Sequence, residues 1–134
     1  MVIFVDTSAL LALVNINDEF HRRAKDQWQL LLKNKETLFS NNYVILESIS
    51  LIQRRFGMDW IGTLNAEILS LIEIAWVDEN QHQAAWTSFL KANRRHLSLV
   101  DCSCFESMRR LGIENVFSFD EHFQEQGFKV IPQH

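Results

Sequence analysis

The sequence is poor in the two residues that interrupt regular structure. It has one proline and four glycines in 134 residues, which leaves little room for disordered linkers. No apolar run approaches the ~18 residues of a membrane span, and the short apolar start lacks the basic leader of a signal peptide. We therefore expect a single domain over residues 1–134, with no membrane segment and a cytoplasmic location.

Cysteine is almost as scarce as proline. Cys102 and Cys104 are the only two, and their spacing in a predicted helix points the side chains in different directions. A disulfide between them is not expected, and two reduced, buried thiols suit a reducing compartment. No set of histidine and cysteine residues has the spacing of a zinc site.

The chain also lacks an excess of positive charge. Its 13 lysines and arginines stand against 17 acidic residues, a net charge of −4, which argues against a general nucleic-acid coat. Arginine nevertheless occurs in four adjacent pairs. Pairs that rim a cleft floored by acids could hold phosphates outside and cations inside, although helix ends often carry arginine without any such function. The pairs are Arg22-Arg23, Arg54-Arg55, Arg94-Arg95 and Arg109-Arg110.

Short apolar runs alternate with segments of helical periodicity along the whole chain. This alternation is typical of an α/β fold with a mainly parallel sheet of about four to five strands and helices on both faces. The predicted strands are Val2–Val5, Thr37–Phe39, Ile74–Val77, Val116–Phe119 and Lys129–Ile131. The predicted helices run from Thr7 to about Asn15, Asp18 to about Asn34, Asn42 to about Phe56, Trp60 to Leu71, Glu79 to about His96, Leu99 to Leu111, and from Glu121 to about Gln126.

Four acidic residues stand out as candidates for a site. Asp6 and Asp120 follow predicted strands, and the carboxyl ends of parallel strands meet at one edge of a sheet. Glu47 is the lone charge in an otherwise apolar helical stretch. Asp101 lies in the first turn of a predicted helix. Asp6 and Asp120 could therefore converge, although they lie far apart in the sequence, and Glu47 and Asp101 are two further candidates.

Each acid also has a simpler explanation. Asp6 and Asp120 could cap the helices that follow them. Ser98 and Asp101 fit a capping box, and Glu47 could pair with Arg54 two turns along its helix. These structural interpretations remain open at the level of sequence.

Four clustered carboxylates would need a counter-charge. At an effective dielectric constant of 20, two like charges ~4 Å apart repel by about 4 kcal/mol. Ligand sets made only of oxygen suit Mg²⁺ or Mn²⁺ rather than zinc. Such ions activate water and stabilise the charge that builds on a phosphodiester during hydrolysis, so the set indicates cleavage of nucleic acid.

Four segments carry a family resemblance. In chain order they are Val5 to Leu10, the lone Glu47, Leu99 to Cys102, and Phe117 to Phe123. Together they resemble the PIN domain and, within it, the VapC-type ribonuclease toxins of bacterial toxin–antitoxin modules. The resemblance covers nearly the whole chain in the right order.

The resemblance implies a function and a set of site residues. Asp6, Glu47, Asp101 and Asp120 would bind metal in an endoribonuclease that depends on Mg²⁺ or Mn²⁺. It further implies a three-layer PIN-like fold, an RNA substrate, a homodimer and an antitoxin that covers the active-site groove. The serines at 8 and 118 match positions of small hydroxyl residues, which would orient the acids or metal-bound waters.

Other interpretations of the sequence compete with this one. A haloacid-dehalogenase-like phosphatase also begins with a strand and an aspartate, but it needs a second acid where this chain has Ser8. A PIN-like module that binds RNA or a partner protein without cleaving it would usually lack one of the four acids. His21 and His122 are interpreted as structural or solvated side chains.

Overall fold

The computed structural model describes residues 1–133 and contains one sheet of five strands, all parallel, in the order β3-β2-β1-β4-β5. Helices cover both faces, so the predicted α/β fold is confirmed. The strands are β1 (Val2–Val5), β2 (Thr37–Asn41), β3 (Glu73–Ala75), β4 (Asn115–Phe117) and β5 (Lys129–Ile131). The helices are α1 (Thr7–Val14), α2 (His21–Lys33), α3 (Asn42–Phe56), α4 (Met58–Glu67), α5 (Glu79–Ala92), α6 (Leu99–Leu111) and α7 (His122–Glu125), with a 3₁₀ turn at Leu69–Leu71.

Strand β1 is the centre of the sheet. Ile3, Phe4 and Val5 are fully buried, which explains why this strand is apolar on both faces rather than alternating. The main core gathers around it from both helical layers and includes Leu10, Trp28, Met108 and Phe117.

The order in which the chain adds strands to the sheet changes direction beside β1. The chain places β2 and β3 on one side of β1, then crosses to place β4 and β5 on the other. Val5 pairs with Phe117 at the end of the β1–β4 ladder, and the backbone N–H of Asp6 donates to the Phe117 carbonyl at 3.1 Å. Such a switch point opens a crevice at the carboxyl ends of the strands.

A buried amide joins the two helices that flank this crevice. Asn41, fully buried at the end of β2, accepts from the N–H of Val44 at 2.9 Å and thereby caps α3. Its side-chain nitrogen donates to the hydroxyls of Ser103 and Ser107 on α6, at 3.2 and 3.1 Å. One side chain thus fixes α3 against α6.

Helix α5 ends earlier than its sequence pattern predicts. It stops at Ala92 rather than near His96, because Asn93 adopts a left-handed backbone (φ 49°) and donates its N–H to the Phe89 carbonyl. Helical periodicity predicts that Trp86 and Leu90 of this helix point inward, but they are 41% and 55% exposed, so that prediction is wrong.

Strand β4 likewise ends at Phe117 instead of Phe119. Beyond it, side chains replace the ladder partners: the N–H of Phe119 donates to the Ser8 hydroxyl and that of Asp120 to the Ser118 hydroxyl, both at 2.9 Å. Asp120 therefore lies in a turn three residues past the strand.

Smaller boundaries also differ. Helix α2 begins at His21 rather than at Asp18, because the Asp18 side chain accepts the N–H of Phe20 in the turn before the helix. Strand β2 runs on to Asn41, and the predicted helix from Trp60 divides into α4 and a 3₁₀ turn. Strand β3 ends at Ala75 because the N–H of Val77 donates to the side chain of Asn42 at 2.6 Å, outside the ladder.

Both cysteines are free and buried. Burial raises the pKa of the Cys102 and Cys104 thiols, so neither is an activated thiolate. Among the helices of residues 1–133, none combines the length and apolar character that crossing a membrane requires.

Candidate active site

One cleft brings together all four acids selected from the sequence. It has a volume of about 270 Å³ and opens at the switch point between β1 and β4. Helix α3 contributes one wall and the start of α6 another. The lining residues are Asp6, Thr7, Ser8, Leu11, Glu47, Leu51, Ser98, Asp101 and Asp120.

Asp6 is the most deeply buried of the four acids, with 3% exposure. Burial raises the pKa of its carboxyl from 3.8 to about 7; hydrogen bonds from Ser8 and Ser118 oppose the rise, and the charges of Asp101 and Asp120 add to it. The protein thus holds Asp6 where its charged form is costly unless a cation neutralises it.

Two serines hold the Asp6 carboxylate in place. The hydroxyls of Ser8 and Ser118 donate to its Oδ2 at 2.8 and 2.9 Å and lie 3.2 Å from each other. The same hydroxyls accept the backbone N–H groups of Phe119 and Asp120. This network joins the end of β1 to the turn after β4, across more than 100 residues of sequence.

Asp101 forms the capping box that its spacing predicts. Its Oδ2 accepts the N–H of Ser98 at 3.0 Å, and its own N–H donates to the Ser98 hydroxyl at 2.9 Å. Asp101 is buried, with 8% of its surface exposed. Burial raises the pKa of this carboxyl, and the charge of Asp120 raises it further against the hydrogen bonds from Ser98.

Asp120 also binds the backbone that follows it. Its Oδ1 accepts the N–H of His122 at 2.9 Å, at the start of α7. Asp6 caps α1 in a comparable way, with Oδ2 3.4 Å from the N–H of Ser8.

In all three aspartates, a hydrogen bond to the local backbone therefore coexists with a place in the cleft; in Asp6 and Asp101 this bond is part of a helix cap. Each commits one carboxylate oxygen to the chain: Oδ2 in Asp6, Oδ2 in Asp101 and Oδ1 in Asp120. Among residues 1–133, the other oxygen of each accepts no hydrogen bond. The capping bonds orient these carboxylates and leave one oxygen apiece for a ligand.

Glu47 reaches the cleft from α3, one turn before Leu51, which lines the same wall. The alternative pairing with Arg54 does not occur within the described chain, whose ion pairs include no contact of Glu47. The structural interpretation of Glu47 is therefore wrong.

His122 lies closer to the acids than the sequence suggested. Asp101, Asp120 and His122 each offer one atom that could bind a metal, and these three atoms lie within 4.8 Å of one another. Its Nε2 contacts the His96 carbonyl at 2.9 Å, and its Nδ1 is buried without a hydrogen bond in the described residues. Burial opposes protonation, but Asp120 and the His96 carbonyl outweigh it and raise the His122 pKa. Its position two residues after Asp120 was the only signal in the sequence.

Thr7 supplies another group that the sequence did not single out as functional. Its Oγ1 is buried and has no hydrogen-bond partner in residues 1–133, although its side chain lines the cleft. Buried hydroxyls are normally satisfied. Within the described residues the Thr7 hydroxyl is therefore an exception to this rule.

Comparisons with known proteins identify similar chains and structures. The chain is 30% identical over 128 residues to the 23S rRNA-specific endonuclease VapC20 of Mycobacterium tuberculosis, covering 95% of each protein. The crystal structure of that protein, described as a Sarcin-Ricin loop cleaving toxin, superposes with a TM-score of 0.80 over 94% of this chain and 95% of the other.

A more distant structure shares the fold. VapBC2 from Rickettsia felis, solved with a DNA fragment from the promoter, matches with a TM-score of 0.72 and 13% identity over 97% of each chain. A family model of the PIN domain matches residues 3–129, nearly the whole sequence. The chain therefore belongs to the PIN domain family.

Proposed function

We propose that this protein is an endoribonuclease that hydrolyses RNA phosphodiester bonds with a divalent metal, and that it is the toxin of a toxin–antitoxin pair. The observation that carries the proposal is the cleft in which Asp6, Glu47, Asp101 and Asp120 meet. Its relative VapC20, 30% identical along almost the full length, is an endonuclease acting on 23S rRNA. We propose ribosomal RNA as the substrate class here also.

The donor set of the cleft fits a hard cation. Carboxylate oxygens are the ligands that Mg²⁺ and Mn²⁺ prefer. Burial first, and then the charges of Asp101 and Asp120, raise the pKa of Asp6, so a cation beside it would stabilise its charged form. We propose that the four acids hold Mg²⁺ or Mn²⁺. When bound, such an ion supplies a water of lowered pKa and a positive charge for the phosphodiester.

The chain's own groups hold and orient this set. Ser8 and Ser118 fix Asp6 from the side away from its free oxygen. Ser98 does the same for Asp101. Because these bonds are made within the folded chain, the carboxylates need little rearrangement to receive a ligand. We therefore propose Ser8 and Ser118 as positioning residues.

A cleavage assay tests the proposal. We expect the protein to cleave ribosomal RNA in Mg²⁺ or Mn²⁺, EDTA to abolish cleavage, and Asp6→Asn to reduce it by at least ~100-fold, since a metal ligand and a charge are both lost. Asp26→Asn is the matched control, because that carboxylate is exposed on α2. Full activity in Asp6→Asn, or in EDTA, would sink the assignment. RNA binding without cleavage would favour the alternative of a catalytically silent module.

We also propose two protein partners, an antitoxin and a second copy of this chain, in the cytoplasm. Large apolar side chains at the surface support an interface of some kind, among them Trp76 at 69% exposure and Leu90 at 55%. Two reduced, buried cysteines support a reducing compartment. Sedimentation of the purified protein, and purification together with the product of a neighbouring gene, test the two partners separately.

A further inference from the structure

The four arginine pairs of the sequence differ in how their side chains are used. Those of the last pair have partners on the fold: Arg109 lies over the rings of Phe105 and Phe128 and donates to Gln126, while Arg110 contacts Glu106 and Asn80. In the first pair, Arg22 lies near Asp26, and Arg23 covers the Phe119 ring and donates to the Gln133 carbonyl. These four guanidinium groups are engaged within the fold.

The remaining two pairs belong to chain segments that continue from the walls of the acidic cleft. Arg54 and Arg55 close α3, whose side chains Glu47 and Leu51 line one wall. Arg94 and Arg95 precede Ser98, which lines another wall. Among residues 1–133, no hydrogen bond or ion pair involves the side chains of Arg54 or Arg95.

The segment 93–97, which we call the basic loop, is held in a defined shape. Asn93 turns it away from α5, and Leu97 anchors its other end in the core at 4% exposure. Arg94 pairs with Glu125 of α7 at 2.9 Å. The carbonyl of His96 contacts Nε2 of His122 at 2.9 Å. The loop is therefore fastened to α7, the helix whose first N–H donates to Asp120.

Arg95 lies in a concave part of this surface. A groove of about 320 Å³ is lined by Phe89, Leu90, Asn93, Arg94 and Arg95. Three residues after Arg95, the chain reaches Ser98 at the wall of the acidic cleft. The groove and the cleft are thus joined by a short stretch of chain.

Arg54 lies in the last turn of α3, the helix that forms the other wall of the cleft. It follows Glu47 by seven residues, which is two helical turns or about 10 Å along the axis, on the same face. A chain of phosphates that passed over Glu47 could therefore meet a positive charge on this side as well.

Electrostatics favours such contacts. The cleft concentrates four acids, and the protein has a net charge of −4. A polyanion would be repelled unless local positive charge offset these acids at close range. Arginine suits that purpose because its planar fork binds phosphate oxygens in pairs.

We propose that the substrate RNA strand crosses the acidic cleft between the basic loop and the end of α3, with Arg95 and Arg54 binding phosphates on opposite sides of the bond to be cut. The proposal rests on the proposed ribonuclease function and names the residues that hold its substrate. Arg94, which is paired with Glu125, contributes to the same side of the strand. RNA fits better than a protein partner here because the unpaired groups are cationic.

Binding measured against salt tests this directly. A fluorescein-labelled single-stranded oligoribonucleotide is titrated with Asp6→Asn protein in EDTA, over a series of KCl concentrations. In that background, Arg95→Gln and Arg54→Gln should each lower the slope of log affinity against log salt by about 0.7, the contribution of one phosphate contact to a single strand. The double variant should lose about twice as much. In the active protein, the same changes should appear mainly in KM.

Lys33→Gln is the matched control. It removes one positive charge from an exposed position in the last turn of α2, near the amino-terminal edge of the sheet, and should leave the slope unchanged. An Arg95→Gln slope equal to that of Lys33→Gln would overturn the proposal, as would an unchanged slope together with altered sedimentation, which would indicate a protein interface. Protein that binds RNA through both arginines but never cleaves it would leave this inference standing and refute the ribonuclease proposal.

Discussion

Asp6 shows how one residue can serve local structure and a site together. Its position after an apolar strand was readable from the sequence, and so was its ability to cap a helix. The hydrogen bonds from Ser8 and Ser118 could not be derived, because Ser118 approaches only through pairing of distant strands. Sequence thus predicted the candidate acids but not the bonds that orient them.

The raised pKa of Asp6 gives a prediction for stability without metal. The folded carboxyl titrates at about 7 against 3.8 for the free group, so between these values the folded protein holds more protons than the unfolded chain. Stability contributed at low pH is lost as the pH rises through this interval, by at most about 4 kcal/mol. Asp6→Asn should therefore be more stable than wild type at pH 8, and the gap should vanish near pH 4.

Urea unfolding in EDTA at several pH values measures this gap. His122 titrates in both proteins, so its contribution largely cancels in the comparison. Curves of unfolding free energy that run parallel from pH 4 to pH 8 would contradict the prediction and place Asp6 in a better solvated site.

At the scale of elements, sequence located most segments but misplaced several ends. Helix α6 and strand β5 have the predicted bounds, since Ser98 and Gly112 mark the helix and Pro132 follows the strand. The end of α5 was missed because a left-handed Asn93 and the buried Leu97 decide it, and neither follows from helical periodicity. Because the predicted helix extends to about His96, the sequence did not predict the basic loop at residues 93–97.

Asn41 joins two helices that carry acids of the cleft. Its side chain connects α3, which carries Glu47, to α6, which carries Asp101. Asn41→Ala removes a helix cap and leaves two buried serine hydroxyls without their donor. We expect a loss of about 2–4 kcal/mol in the free energy of unfolding. Weaker binding of Mn²⁺ should accompany it, because the two walls of the cleft are no longer fixed to each other.

Asp78→Ala is the matched control for Asn41→Ala. It also removes an N-cap, the bond from the N–H of Gln81 at the start of α5, but at an exposed position remote from the four acids. It should cost about 1 kcal/mol and leave Mn²⁺ affinity unchanged. Equal losses in the two variants would show that Asn41 is only a cap.

At the scale of the whole molecule, the order of the strands assembles the site. Alternating strands and helices predicted a parallel sheet, yet they did not indicate that β1 would lie between β2 and β4. That order depends on long-range packing around Ile3, Phe4 and Val5. It creates the switch point at which residues 6, 47, 101 and 120 meet.

The proposed metal site connects metal binding, pH and global stability in one prediction. A cation that binds only the folded cleft stabilises the protein in proportion to the logarithm of its concentration over Kd, so Mn²⁺ should raise the melting temperature of wild-type protein. Protons compete with the cation for Asp6, whose pKa is about 7. The rise in melting temperature should therefore be larger at pH 8 than at pH 6.

Two variants serve as controls. Asp6→Asn should respond far less at either pH, while Asp26→Asn, altered on the exposed face of α2, should behave as wild type. Calorimetry with Mn²⁺ and with Ca²⁺ separates binding at this cleft from a general salt effect. Equal rises in wild type and Asp6→Asn would mean that the cation binds elsewhere on the molecule.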